Sequence, residues 1–153
     1  MKHTKKIFRL LFVVVICFMI TGCGSKNIEG KLPDLMDKLY EGIKEEERPM
    51  ALQTTELTED NFKTFAFADV KYKEAVVSES MTGSIAHSVV LIRLEDAKDA
   101  TKAVEDIKKN ADPRKWICVE AENVYVLSKG DLVVLIMSNE LAPKIKENFE
   151  NLK

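Results

Sequence analysis

Apolar positions along the chain recur at two different periods, and the changes of period divide it into elements. In "LPDLMDKLYEGIKEEERPM", Leu32, Leu35, Met36, Leu39 and Ile43 fall three or four apart, one stripe on a helix. Pro33 and Asp34 suit a first turn, and Pro49 blocks continuation past Arg48, so the pattern predicts a helix over 33–47. "TTELTEDNFKTFAF" reads as a short helix capped at Thr58, with Phe62, Phe65 and Phe67 plugging one end of a core. The period then falls to two. Strands are predicted over 72–80 and 84–94, with "MTGS" turning between them. Ala97, Ala100, Val104, Ile107 and Ala111 stripe a helix, which "DPRKW" ends. Strands over 124–128 and 132–138 flank "KGD", and Leu141, Ile145, Phe149 and Leu152 stripe a last helix.

"VVLI" occurs at 89–92 and again at 133–136, each time ending a hairpin and preceding a helix. We read an N-terminal helix plus two ββα units, an α+β fold with a four-stranded sheet and both unit helices on one face. A sheet with one wet face alternates apolar and polar residues. "VVLI" and "VVLIM" do not, so both faces must be covered. Helix 33–47 is expected across the second face, the alternative being a second chain.

The first residues form a different pattern. Lys2, Lys5, Lys6 and Arg9 precede an apolar run over 10–20, which is shorter than the roughly 20 residues a membrane span needs. The ending "Ile20-Thr21-Gly22-Cys23" resembles the lipobox of bacterial lipoproteins. That resemblance implies a signal peptide over 1–22, cleavage before Cys23 and a diacylglycerol on its thiol. Two acyl chains on one anchor hold a protein stably at a membrane. The implied location is the extracytoplasmic face of the cell membrane. The expected organisation is a lipidated Cys and tether over 23–31, "GSKNIEGK" being polar, and a single domain over 32–153.

Charge and cysteine content narrow this further. Residues 1–22 hold four basic residues and no acids, so the mature chain keeps 19 basic and 25 acidic residues, a formal charge of −6. Nucleic acid, which selects a basic stripe, is not an expected partner. Cys17 leaves with the signal and Cys23 is lipidated, so Cys118 is alone and no internal disulfide is expected.

Candidate chemistry is sparse. HExxH, CxxC, GxSxG, phosphate-cradling glycine loops and calcium loops are absent. No metal or cofactor is expected. His87, the one mature-chain His, reads as a hydrogen-bonded sheet residue rather than a general base. Cys118 in "WICVEA" reads as a buried inert thiol, and Glu120, Glu122 and Asp112 as a solvated acidic edge. The distinctive stretch is "DPRKWICVE". Arg and Trp are what interface hot spots favour, so Arg114 and Trp116 are binding candidates, with Arg93 a third because it ends an apolar strand.

"VVLIRLED", "DPRKW" and "KGDLVVLIMS" together resemble a domain family of small lipoproteins in low-GC Gram-positive bacteria, over most of residues 30–140. The resemblance implies location and size class only, since that family carries no assigned activity. The expected function is a membrane-tethered binding or interaction module, not an enzyme, with a membrane or cell-wall protein as partner. The alternatives are a small-molecule receptor accessory to a transporter, using a cleft beside helix 33–47, and an envelope hydrolase.

Overall fold

The computed structural model describes residues 27–153, so the segment 1–22 and Cys23 lie outside the described residues. Among the described residues, four α-helices flank one sheet: α1 (Leu32–Leu39), α2 (Glu59–Ala66), α3 (Ala100–Asn110) and α4 (Ala142–Asn151). The strands are β1 (Leu52–Glu56), β2 (Tyr72–Ser80), β3 (His87–Leu94), β4 (Asn123–Lys129) and β5 (Leu132–Ser138). Their order is β1-β2-β3-β5-β4, with every neighbouring pair antiparallel. The fold is α+β, with helices on both faces of the sheet.

The two apolar repeats are the central strands. All seven residues of β5 are buried, and only Arg93 of β3 is not. Val90, Ile92, Val133, Leu135 and Met137 face a core with α2 and α3. Val89, Leu91, Val134 and Ile136 face a second core with α1 and α4. Burying a side chain of this size contributes about 1.5–3 kcal/mol, so these strands dominate the stability. The second face is thus covered within the chain, by α1 as expected and by α4 beside it.

Three expectations need correction. The stripe over 33–47 is helical only to Leu39. Tyr40 and Glu41 donate their N–H groups three residues back, to Asp37 and Lys38, and Gly42 takes the left-handed φ of +76° that turns the chain. Ile43 is buried all the same, reached through that turn, and a single 3₁₀ turn follows at Glu45–Glu47. Asn148 of α4 donates to the carbonyls of Leu39 and Glu41 at 2.8 and 2.9 Å, satisfying the helix end and locking α1 to α4.

The second correction is a fifth strand. β1 pairs with β2 alone, from Leu52↔Ser80 to Glu56↔Val76. Four of its five residues are exposed, so "LQTTE" shows no buried face to betray it.

The third concerns the unit helices, which lie on opposite faces rather than one. "VVLI" explains it. Val89 and Leu91 point to the α1–α4 core, whereas the same letters at Val133 and Leu135 point to the α2–α3 core. Exchanging the hairpins β2–β3 and β4–β5 and reversing their direction requires a two-fold axis perpendicular to the sheet. That rotation keeps each helix on its face, so the echo is one of letters and not a structural repeat. The chain instead passes from β3 through α3 to the parallel strand β4, leaving a place between them that β5 fills.

Candidate functional site

The binding candidates lie at opposite ends of the sheet. Arg93 is near the end of β3, opposite Glu74 in the β2–β3 register. Its Nε donates to Glu74 Oε1 at 2.7 Å, and Nη1 pairs with Asp131 Oδ2 at 3.2 Å. Nη1 also donates to the Ile28 carbonyl, and Nη2 to the Gly30 carbonyl, both at 2.7 Å. Every guanidinium nitrogen is engaged within the chain, and the side chain is 11% exposed. Gly30 permits the geometry with its φ of +120°. Ile28 is buried among the α1–α4 core residues. The expected tether over 23–31 is therefore folded from Ile28 onward, and Arg93 holds it there.

Arg114 and Trp116 belong to the segment 111–122, which joins α3 to β4 without helix or strand. Arg114 is exposed, while Trp116 is half-buried against the α2–α3 core. Its indole N–H is enclosed with no hydrogen-bond partner among the described residues. Lys115 pins the segment to the sheet. Its Nζ lies 2.6 Å from Glu79 Oε1, 3.2 Å from Ser88 Oγ, and 4.9 and 5.2 Å from the ring centres of Phe65 and Trp116. Ala121 N–H donates to the Pro113 carbonyl and Glu122 N–H to Asn139 Oδ1, closing the far side. Ile117, by contrast, is 91% exposed. Cys118 is exposed as well, which corrects the expectation of a buried thiol. Apolar neighbours suggested burial, but only Trp116, Val119 and Ala121 turn toward the core.

A third arrangement escaped the sequence reading. Tyr40 Oη lies 3.0 Å from Ser78 Oγ and 2.7 Å from His87 Nε2, and His87 Nδ1 lies 2.8 Å from Ser138 Oγ. All four residues are buried. A neutral imidazole has one donor and one acceptor, so the chain of bonds runs in one direction or the other, fully satisfied each way. His87 is a hydrogen-bonded sheet residue. Burial lowers its pKa from 6.5 to about 4 and pushes the Tyr40 phenol up.

Ser138 beside His87 has the germ of an acyl-transfer pair. An effective base titrates near the working pH, however, and this one is buried far below it. Its second partner is a phenol rather than a carboxylate. The arrangement ties α1 to β2, β3 and β5, leaving no buried polar atom among the four unpaired.

Among the described residues, no group of three or more His, Cys, Asp or Glu is placed to hold a metal ion. No described helix is long and apolar enough to cross a membrane. No family model, no curated protein and no solved structure matches the chain.

Proposed function

We propose that this chain is an extracytoplasmic lipoprotein, anchored through Cys23, whose domain is a binding module for a membrane or cell-wall protein. The anchoring half is supported by the basic start, the short apolar run and "Ile20-Thr21-Gly22-Cys23". The binding half is carried by one observation: segment 111–122 is pinned to the core through Lys115 and Trp116 yet presents Arg114, Ile117 and Cys118 to solvent. Connections longer than about 12 residues without secondary structure are uncommon in compact domains and are usually either functional or disordered, and this one, at the edge of that length, is held in place. A held segment loses less entropy on binding than a loose one, and Arg is among the residues enriched at interface hot spots.

The test is a photo-crosslinking residue at Ile117 in the full chain, in intact cells. One discrete adduct to an envelope protein is expected, weakened by Arg114→Ala and absent from a control at Glu105 on the outer face of α3. No adduct from a protein confirmed as folded and membrane-bound refutes the binding reading. Cys23→Ala should leave the signal uncleaved before residue 23 and abolish incorporation of an alkyne-tagged fatty acid.

A second reading, a small-molecule receptor, is favoured by a cleft of about 480 Å³ between α1 and β1, lined by Asp37, Tyr40, Arg48, Met50 and Leu52 among others. Its size is in the range of ligand sites. A metabolite that raises the melting temperature of the wild type but not of Arg48→Ala supports it.

A further inference from the structure

We propose that the end of the sheet bearing Arg93 is seated on the lipid bilayer, held there because Arg93 clamps residues 28–30 to the domain. The proposal rests on lipidation at Cys23. Were the whole polar stretch loose, eight residues would separate the lipid from α1, a reach of about 26–29 Å. The clamp removes most of that freedom. Ile28 is buried in the α1–α4 core, and its carbonyl and that of Gly30 are held by Arg93 at 2.7 Å. Five residue steps from Cys23 to Ile28 span at most about 18 Å. The headgroup layer, about 5–7 Å per leaflet, takes up part of it.

A short tether alone leaves orientation open, but a tether fixed at one end of a rigid sheet does not. The start of β2, the end of β3 and the start of β5 meet where Arg93 joins Glu74 and Asp131. This end must face the bilayer. The hairpin tip at Met81 and the segment with Ile117 lie at the other end, about 24 Å away along the eight residues of β3. Both side chains are exposed. The clamp thus turns the proposed recognition segment outward, away from the membrane. Around the seat, exposed Lys31, Lys71, Lys73 and Lys153 mix with Glu29 and Glu95. The seat is set by the covalent tether rather than by charge, so salt should not release it.

The experiment places an environment-sensitive fluorophore at each end of the full lipidated chain. One variant carries Lys73→Cys with Cys118→Ser, the other Met81→Cys with Cys118→Ser. Each is reconstituted in vesicles of phosphatidylglycerol and phosphatidylethanolamine doped with a headgroup-nitroxide lipid. Quenching at position 73 should exceed quenching at position 81 severalfold, in low and high salt alike. Arg93→Lys keeps the positive charge but cannot span both carbonyls, and should reduce the difference. A Gly-Ser insertion of about ten residues after Ser25 should abolish it. Protein that does not co-float with the vesicles overturns the anchoring reading itself. Protein that co-floats but is quenched equally at both ends, or more at position 81, overturns the seating while anchoring stands. A difference unmoved by Arg93→Lys removes the clamp as its cause.

Discussion

The His87 network makes stability depend on pH in a window where a surface histidine would do little. The folded pKa is about 4 against 6.5 for an unperturbed imidazole, because burial disfavours the charged ring. Among the described residues the ring is hydrogen-bonded only to Tyr40 and Ser138, with no carboxylate partner to offset that cost, and Arg48, over the Tyr40 ring at 5.6 Å, is itself positive. The folded pKa is depressed, so between pH 6.5 and 4 the unfolded chain binds the extra proton. The contribution is fully present above pH 6.5 and falls away as pH drops toward 4. A difference of about 2.5 pKa units corresponds to about 3 kcal/mol. That is a large part of the 5–15 kcal/mol typical of a whole domain. The assay is urea unfolding of a chain lacking residues 1–23 from pH 7.5 to 4, for wild type and His87→Gln. The glutamine amide keeps one donor and one acceptor but has no charge to gain. At neutral pH the variant should be less stable by about 1–2 kcal/mol. The curves should then converge and cross as pH falls toward 4, because only the wild type loses the histidine contribution of about 3 kcal/mol, while carboxylate titrations common to both cancel in the difference. Parallel curves would refute the reasoning, since His87 would then have the same pKa folded and unfolded.

Other expectations separate the roles of the named residues. Arg114→Ala should change stability by less than about 0.5 kcal/mol, whereas Trp116→Ala, which strips the edge of the α2–α3 core, should cost about 2 kcal/mol by chemical denaturation. Asp131→Ala leaves Arg93 without its most buried partner and should cost about 3 kcal/mol, with faster amide exchange at residues 28–31. Cys118 should react with Ellman's reagent in the native state at nearly the rate measured in denaturant; strong native-state protection would contradict its exposure.

Much of this fold was legible because the central strands are buried on both sides. Read as strands from their hairpin context, "VVLI" and "VVLIM" implied cover on both faces, and the structure covers them twice. The same property hid the phase. In an alternating strand the polar residues report which side chains share a face, whereas a continuous run carries no such mark. Nothing in the letters distinguished Val89, pointing to α1 and α4, from Val133, pointing to α2 and α3. The side taken by α4 was therefore unreadable. β1 was unreadable for the opposite reason, being exposed over four of its five residues and stabilised by its hydrogen bonds to β2.

The chemistry of Arg93 shows what separates a legible residue from a legible role. An Arg ending an apolar strand was a visible anomaly, and its cross-strand partner Glu74 follows from the hairpin register once that is known. Its other partners lie 38, 63 and 65 residues away in sequence, two of them backbone carbonyls that carry no side-chain signature. His87 is alike, with Tyr40 and Ser138 lying 47 and 51 residues away on either side. In both cases a polar residue inside an apolar run was satisfied by groups that only the assembled layers bring together. Satisfied polarity also explains why neither residue is free to recognise a partner. A guanidinium with every nitrogen engaged would have to surrender a short hydrogen bond, and an ion pair at 11% exposure, to bind anything else. On the binding reading proposed above, recognition would fall instead to side chains the fold leaves unspent. Arg114 and Ile117 are such residues, exposed on a segment whose Ala121 and Glu122 N–H groups are tied back to Pro113 and Asn139.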